Sequence, residues 1–276
     1  LNTANNGTDA AYPIGSGKAN GFNLDVVNLT IEKPLDESEW AAGYKAELLF
    51  GPDASGVGTA IGNTASSAGF AGSIGSDLAV KQAYVNLRAP VGNGLEFKMG
   101  VFDTIIGYEV FDAGGNPNYS RSWGYTIEPT THTGVLASYQ VNDYIAASAG
   151  IANTYGPTIN DRPFGTTSGN DKAESYKTYM GSVALTAPED WGFLSGSTLY
   201  AGVVNGFGSG AQENVTSIYV GTAMATPIKG LVAGTAHDWQ LLHDTPPGGG
   251  GKHAYAHGLY LSFQATEKLS LHGRVE

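Results

Sequence analysis

The chain has 276 residues and no cysteine, which excludes a disulfide scaffold and thiolate chemistry. Its formal net charge of −11 argues against a nucleic-acid partner, which would favour a basic patch. Only 14% of the residues are charged, against about 25% in soluble globular proteins, while 40 are Gly and 15 are Tyr.

No apolar run approaches the roughly 20 residues that a membrane helix needs. Low charge, abundant Gly and Tyr, and no hydrophobic helix point to a β-protein that meets an apolar solvent through alternate residues. There is no initiating Met and no signal-like segment at Leu1, so the chain reads as mature or as cut from something longer.

Residues 1–20 are polar and rich in Gly and Asn, and read as a loop or frayed end. A first strand is predicted from Phe22 to Ile31, followed by a turn over 34–39. The next strand has the cleanest alternation. Trp40, Ala42, Tyr44, Ala46, Leu48 and Phe50 share one face, whereas Ala41, Gly43, Lys45, Glu47 and Leu49 share the other. An apolar face ending in aromatic residues, opposite a charged face, is the pattern of a membrane barrel strand.

After a Gly-, Ala- and Ser-rich loop over 51–77, the strand Leu78 to Arg88 places Lys81, Ala83, Val85 and Leu87 opposite Gln82, Tyr84, Asn86 and Arg88. A tight turn at 90–94 leads to Leu95, Phe97, Met99 and Val101 alternating with Glu96, Lys98 and Gly100.

The stretch Gly100 to Gly134 then interrupts the strands and far exceeds a hairpin loop of about 2–5 residues. It carries Phe102, Tyr108, Phe111, Tyr119, Trp123 and Tyr125, so it has apolar surface to bury. A short helix is predicted over Asn118–Trp123, with Asn116 or Asn118 near its start. Two readings fit: a surface loop packed by its own side chains, or a loop folded into the mouth of a barrel. The alternation of loop lengths noted below selects the second, with residues 103–130 as an inward-folded constriction.

Val135, Ala137, Tyr139 and Val141 next alternate with Leu136, Ser138 and Gln140. A two-residue turn at Asn142-Asp143 returns the chain through Ile145, Ala147, Ala149 and Ile151. A polar loop follows over 153–174, and strands are predicted near 175–187, 196–206, 215–226, 231–243, 253–264 and 269–276. About twelve strands result, joined along most of the chain by connections that are alternately short and long. Short periplasmic turns and long extracellular loops give that order in an outer-membrane barrel. A spanning sheet must close, because an open edge in lipid leaves backbone groups unpaired. The fold class read from the sequence is therefore all-β, a single antiparallel transmembrane β-barrel over 1–276.

Several segments carry a resemblance. Lys81-Gln82-Ala83-Tyr84-Val85-Asn86, Lys98-Met99-Gly100-Val101-Phe102-Asp103-Thr104, Ile106-Gly107-Tyr108-Glu109, Asn116-Pro117-Asn118-Tyr119-Ser120-Arg121-Ser122 and Thr131-His132-Thr133-Gly134 form an ordered series. The chain resembles the OmpL-like β-barrel porins of Gram-negative bacteria from about Gly21 to its end, most specifically between Phe102 and Gly134. The resemblance implies an outer-membrane channel and transfers no catalytic residue. Two departures stand out. The chain ends at Arg274-Val275-Glu276 inside what reads as an unfinished strand, and it lacks the terminal aromatic residue common on such barrels. Missing C-terminal strands, and one missing N-terminal strand, are expected, making the chain a fragment of a larger barrel.

A pore selects by lumen-facing charge and by constriction. By parity Lys45, Glu47, Arg88, Glu96 and Lys98 face the lumen, and the central stretch adds Asp103, Glu109, Asp112, Arg121 and Glu128. Arg121 is expected to face one or more of these loop carboxylates. Such a pair would set a transverse field, and would equally serve to hold the loop folded. Tyr44, Leu48, Phe97, Met99, Val135, Ala137, Ile145 and Ile151 are expected to face lipid.

Five of the six histidines fall between His237 and His272. His253 and His257 share a face of one strand, but four residues along a strand span about 13 Å, so they cannot hold one ion with each other. No metal and no cofactor are predicted. His132 with Ser138, or His237 with Asp238, could be set against a lipase-like site. The second pair points to opposite faces, and no G-x-S-x-G elbow is present. The chain is read as a non-enzymatic porin for ions and small hydrophilic solutes, bounded by outer-membrane lipid. The alternative is a structural or adhesive barrel around a partner protein. Homo-oligomerisation and the transported solute are left open by the sequence.

Overall fold

The computed structural model describes residue 24 and residues 26–36, 38–51, 54, 60–61, 78–159, 162–163, 176–208, 214–243 and 252–276. Twelve strands form one sheet: β1 (Val27–Lys33), β2 (Ala42–Phe50), β3 (Leu78–Ala89), β4 (Leu95–Asp103), β5 (Thr131–Asn142), β6 (Ile145–Ala152), β7 (Thr178–Thr186), β8 (Thr198–Phe207), β9 (Asn214–Ala225), β10 (Leu231–His243), β11 (Lys252–Thr266) and β12 (Leu269–Val275). Each strand pairs antiparallel with its sequence neighbour, so the sheet is an uninterrupted meander. Among the described residues β1 and β12 pair on one side only, and the ladder does not close. No helix among these residues is long and apolar enough to cross a membrane.

The register sorts the residues onto two faces, because directly opposed residues point the same way. One row runs Leu87, Phe97, Ala137, Ala149, Gly181, Val203, Ile218, Trp239 and Tyr255, apolar throughout. The adjacent row on the other face runs Arg88, Glu96, Ser138, Ser148, Ser182, Gly202, Tyr219, Asp238 and Ala256. The apolar face leaves Tyr44, Val85, Val135, Ile151, Val183 and Leu261 exposed. The other face is curled inward. A single buried cluster joins Phe102 of β4 and Leu136 of β5 to Val204, Tyr219, Ala236 and Tyr260 on β8 to β11. Flat strands about 4.8 Å apart could not bring these residues together, so this face is concave.

The strands largely follow the sequence alternation, with three differences. β1 begins at Val27 and extends to Lys33, and residues 22, 23 and 25 lie outside the described set. The connection over 187–197 holds a 3-10 turn (Glu189–Leu194) and is longer than the stretch of chain between β8 and β9, which departs from alternating lengths. In β3 the register shifts, so that Glu47 opposes Gln82 while Leu48 opposes Val80. Lys81 is the extra residue of this bulge. Strict parity would put it with Ala83, Val85 and Leu87, but the bulge turns it inward with Gln82, and only 1% of it remains exposed.

Candidate functional site

The segment between β4 and β5 crosses the concave face. Its base closes where Thr104 N–H donates to Thr130 O (3.0 Å) and where His132, fully buried, sits with Nε2 3.1 Å from Thr104 Oγ1. Ile106 packs against the open space left by Gly202. Gly107 holds φ at 115°, where any side chain is strained, and a Cβ there would lie 2.3 Å from Glu128 Oε2. Asn116 then ties a local turn. Its Oδ1 accepts from Val110 N–H (2.9 Å), and its amide donates to Val110 O (2.7 Å) and Asp112 O (2.8 Å).

The helix lies later than Asn118–Trp123. It is α1 (Trp123–Ile127), capped by Ser122, whose side chain accepts from Tyr125 N–H at 3.0 Å. Asn116 cannot start it, being committed to Val110 and Asp112. Ser122 offers the first free oxygen at a suitable position.

Far-side anchors come from β8, β10, β11 and β12. Tyr108 stacks on Tyr260 with ring centroids 4.0 Å apart. Tyr200 OH donates to Ile105 O, and Gln240 Nε2 donates to Ile127 O (2.8 Å). Arg274 of β12 carries the densest contact. Its Nη1 donates to Glu109 Oε1 (2.7 Å) and Ser120 O (2.6 Å), and its Nη2 to Ser120 Oγ (3.0 Å) and Arg121 O (2.8 Å). The Glu109 side chain is 1% exposed, with Oε2 accepting from Ser122 N–H at 2.9 Å. A buried carboxylate so enclosed needs a cation and donors to offset its lost hydration.

The residues singled out in the sequence fall into two groups. On the wall, Lys45 pairs with Glu47 at 3.2 Å, and Glu47 also accepts from Asn28 (2.7 Å) and Gln82 (2.8 Å). Lys98 lies over the Tyr84 ring, 4.6 Å from its centroid. Arg88 and Glu96 approach to 3.8 Å beside the turn at 90–94, where Arg88 also donates to Asn93 O. On the segment, Asp103 pairs with Lys81, Asp112 Oδ1 accepts from Gly114 N–H (3.0 Å), and Glu109 meets Arg274.

Arg121 differs from expectation. Among the described residues it makes no ion pair with Asp103, Glu109, Asp112 or Glu128. It donates to Phe111 O, lies over the Tyr125 ring at 5.0 Å and leaves Nη1 buried without a partner. The physical reason is that Arg274 already occupies Glu109.

Lys81, Gln240, Tyr260 and Arg274 are not among the site residues read from the sequence, and Asp238 enters there only beside His237. Parity alone could have put Asp238, Gln240, Tyr260 and Arg274 on one face, but nothing local marks their partners across the sheet. Glu128 meets Asp238. Burial first, then the hydrogen bond to Asp238, then the charges of Asp238 and Glu109, push the Glu128 carboxyl well above the usual carboxylate range. Between segment and wall lies a cavity of about 460 Å3 whose lining includes Lys81, Asp103, Tyr108, Tyr125, Glu128 and Tyr219.

His132 and Ser138 do not form a pair: His132 bonds Thr104, and Ser138 bonds Ser148 at 2.9 Å. His237 Nδ1 lies 2.9 Å from His257 Nδ1 on the outer face, away from Asp238. No group of three or more His, Cys, Asp or Glu is placed to hold a metal among the described residues.

A meander of this kind, with a long segment docked across its concave face, can be compared with known families. The family model described as beta-barrel porin-2, OmpL-like, matches residues 1–276, the whole chain. The chain belongs to this family. No curated protein and no solved structure matches it. Membership of a β-barrel porin family accords with the all-β antiparallel meander.

Proposed function

We propose that the protein is an outer-membrane porin, through which ions and small hydrophilic solutes diffuse passively, and that residues 103–130 form its constriction. The observation that carries this reading is the docking of Glu109, Ser120 and Arg121 onto Arg274, which ties a segment rooted on β4 and β5 to β12. A strap across the interior narrows it, and the cavity beside the strap sets Lys81, Asp103, Glu109 and Glu128 among apolar and aromatic side chains. Lys45, Glu47, Arg88, Lys98, Asp103, Glu109, Asp112, Arg121 and Glu128 are the proposed lining, joined by Lys81. Fixed charges in a narrow, water-filled space are screened less than in bulk and act strongly on a passing ion.

The outer apolar face would contact lipid, with Trp239 and Tyr255 suited to an interfacial layer. Planar-bilayer recordings of the full-length protein test the reading. Stepwise currents with a non-zero reversal potential in a salt gradient are expected. A bilayer that stays silent with correctly inserted protein would contradict it.

A further inference from the structure

α1 packs on β10, where Gln240 Nε2 donates to Ile127 O (2.8 Å) and Asp238 lies against Gly124. Glu128 ends α1, with its N–H donating to Gly124 O (3.2 Å), and shares a side-chain hydrogen bond with Asp238. Two carboxyl groups can hydrogen-bond only when one of them keeps a proton. Each carboxyl group packs against a glycine of the segment. A Cβ on Gly124 would lie 2.3 Å from Asp238 Oδ2, and one on Gly107 would lie 2.3 Å from Glu128 Oε2. Asp238 is 3% exposed, and its Oδ1 has no other hydrogen-bond partner. A buried carboxylate oxygen without a donor is costly, and the neighbouring carboxyl is the donor at hand.

We propose that Glu128 and Asp238 share a single proton that latches the segment to the wall, and that loss of this proton releases α1 from β10. Other charged groups do not take over that role. Glu109 adds negative charge from the segment but is held by Arg274. Arg121 is committed to Phe111 O and the Tyr125 ring. Tyr108 and Tyr125 on the segment, and Tyr219 and Tyr260 on the wall, are phenols that ordinarily stay neutral until about pH 10. His237 and His257 sit on the opposite face of their strands.

The sign follows from linkage. A carboxyl raised in the docked state binds its proton more tightly there than after release. Docking is therefore favoured at low pH and weakens as pH rises through the raised value. The pair titrates as a unit.

For its effect on current the latch rests on the porin reading, but its chemistry does not. The test places a nitroxide at Thr126→Cys, an exposed position in a chain without other cysteines, in the full-length protein reconstituted in lipid vesicles. Spin-label mobility is read from about pH 5 to about pH 10, which brackets the values of about 8–9 documented for buried glutamates. A single step to higher mobility with rising pH is expected. The step should vanish in both Glu128→Gln and Asp238→Asn, where the amide donates without a titrating proton. An unchanged label in the parent, or a step retained in both variants, overturns the latch. Currents from the same samples separate the two ideas: a mobility step without any conductance sinks the porin reading alone, and conductance without a step sinks the latch alone.

Discussion

Arg274 commits both of its terminal nitrogens to the crossing segment and its Nε to Glu276, so no donor is left for solvent. Replacing it by Ala strands Glu109 as a buried, uncompensated charge, a change that costs about 3–5 kcal/mol when such pairs are broken. Arg274→Ala should therefore lower the midpoint of denaturant-induced unfolding well beyond the shift in Arg274→Lys, which keeps the charge but loses the fork. Equal midpoints for the two variants would remove Arg274 from its anchoring role. Gly107→Ala should cost about 1–3 kcal/mol through its left-handed φ alone, with a further loss from the clash with Glu128. A midpoint within error of the parent would show that the chain at 107 relaxes freely. The sequence points to Arg121 as the cation of the segment because Arg121 lies among the loop carboxylates. The partner that Glu109 finds lies 165 positions away, and no local pattern encodes a contact set by curvature of the sheet.

Strands are the elements the sequence reveals most fully, because a half-exposed strand writes its two faces as period 2. β2 shows this directly, with Tyr44 exposed and Glu47 buried on opposite faces. Alternation carries no mark for an inserted residue, so the bulge that turns Lys81 inward was invisible, although its charge among Ala79, Val80 and Ala83 is a hint in hindsight. The sequence places the short helix too early because two asparagines compete as caps with Ser122, and only the folded segment shows Asn116 tied to Val110 and Asp112 and Ser122 accepting from Tyr125 N–H. Facing can be tested with single cysteines and a membrane-impermeant thiol reagent in vesicles. Lys45→Cys and Lys98→Cys should label, whereas Tyr44→Cys and Phe97→Cys should not. The reverse pattern would invert the assignment of the two faces.

At the scale of the whole molecule, a sheet of twelve strands with one apolar and one charged face becomes a channel only if the interior is open and the crossing segment governs its width. The class of fold follows from composition and period, and the family match covers the full chain. How the segment lies within the interior depends on contacts spanning β4 to β12, which the sequence does not order. The most direct measurement is single-channel conductance of the full-length protein with residues 110–126 deleted. If the segment is the constriction, each channel should conduct several-fold more current than the parent, with weaker ion selectivity. Parent-like conductance and selectivity in correctly inserted deletion protein would contradict that role.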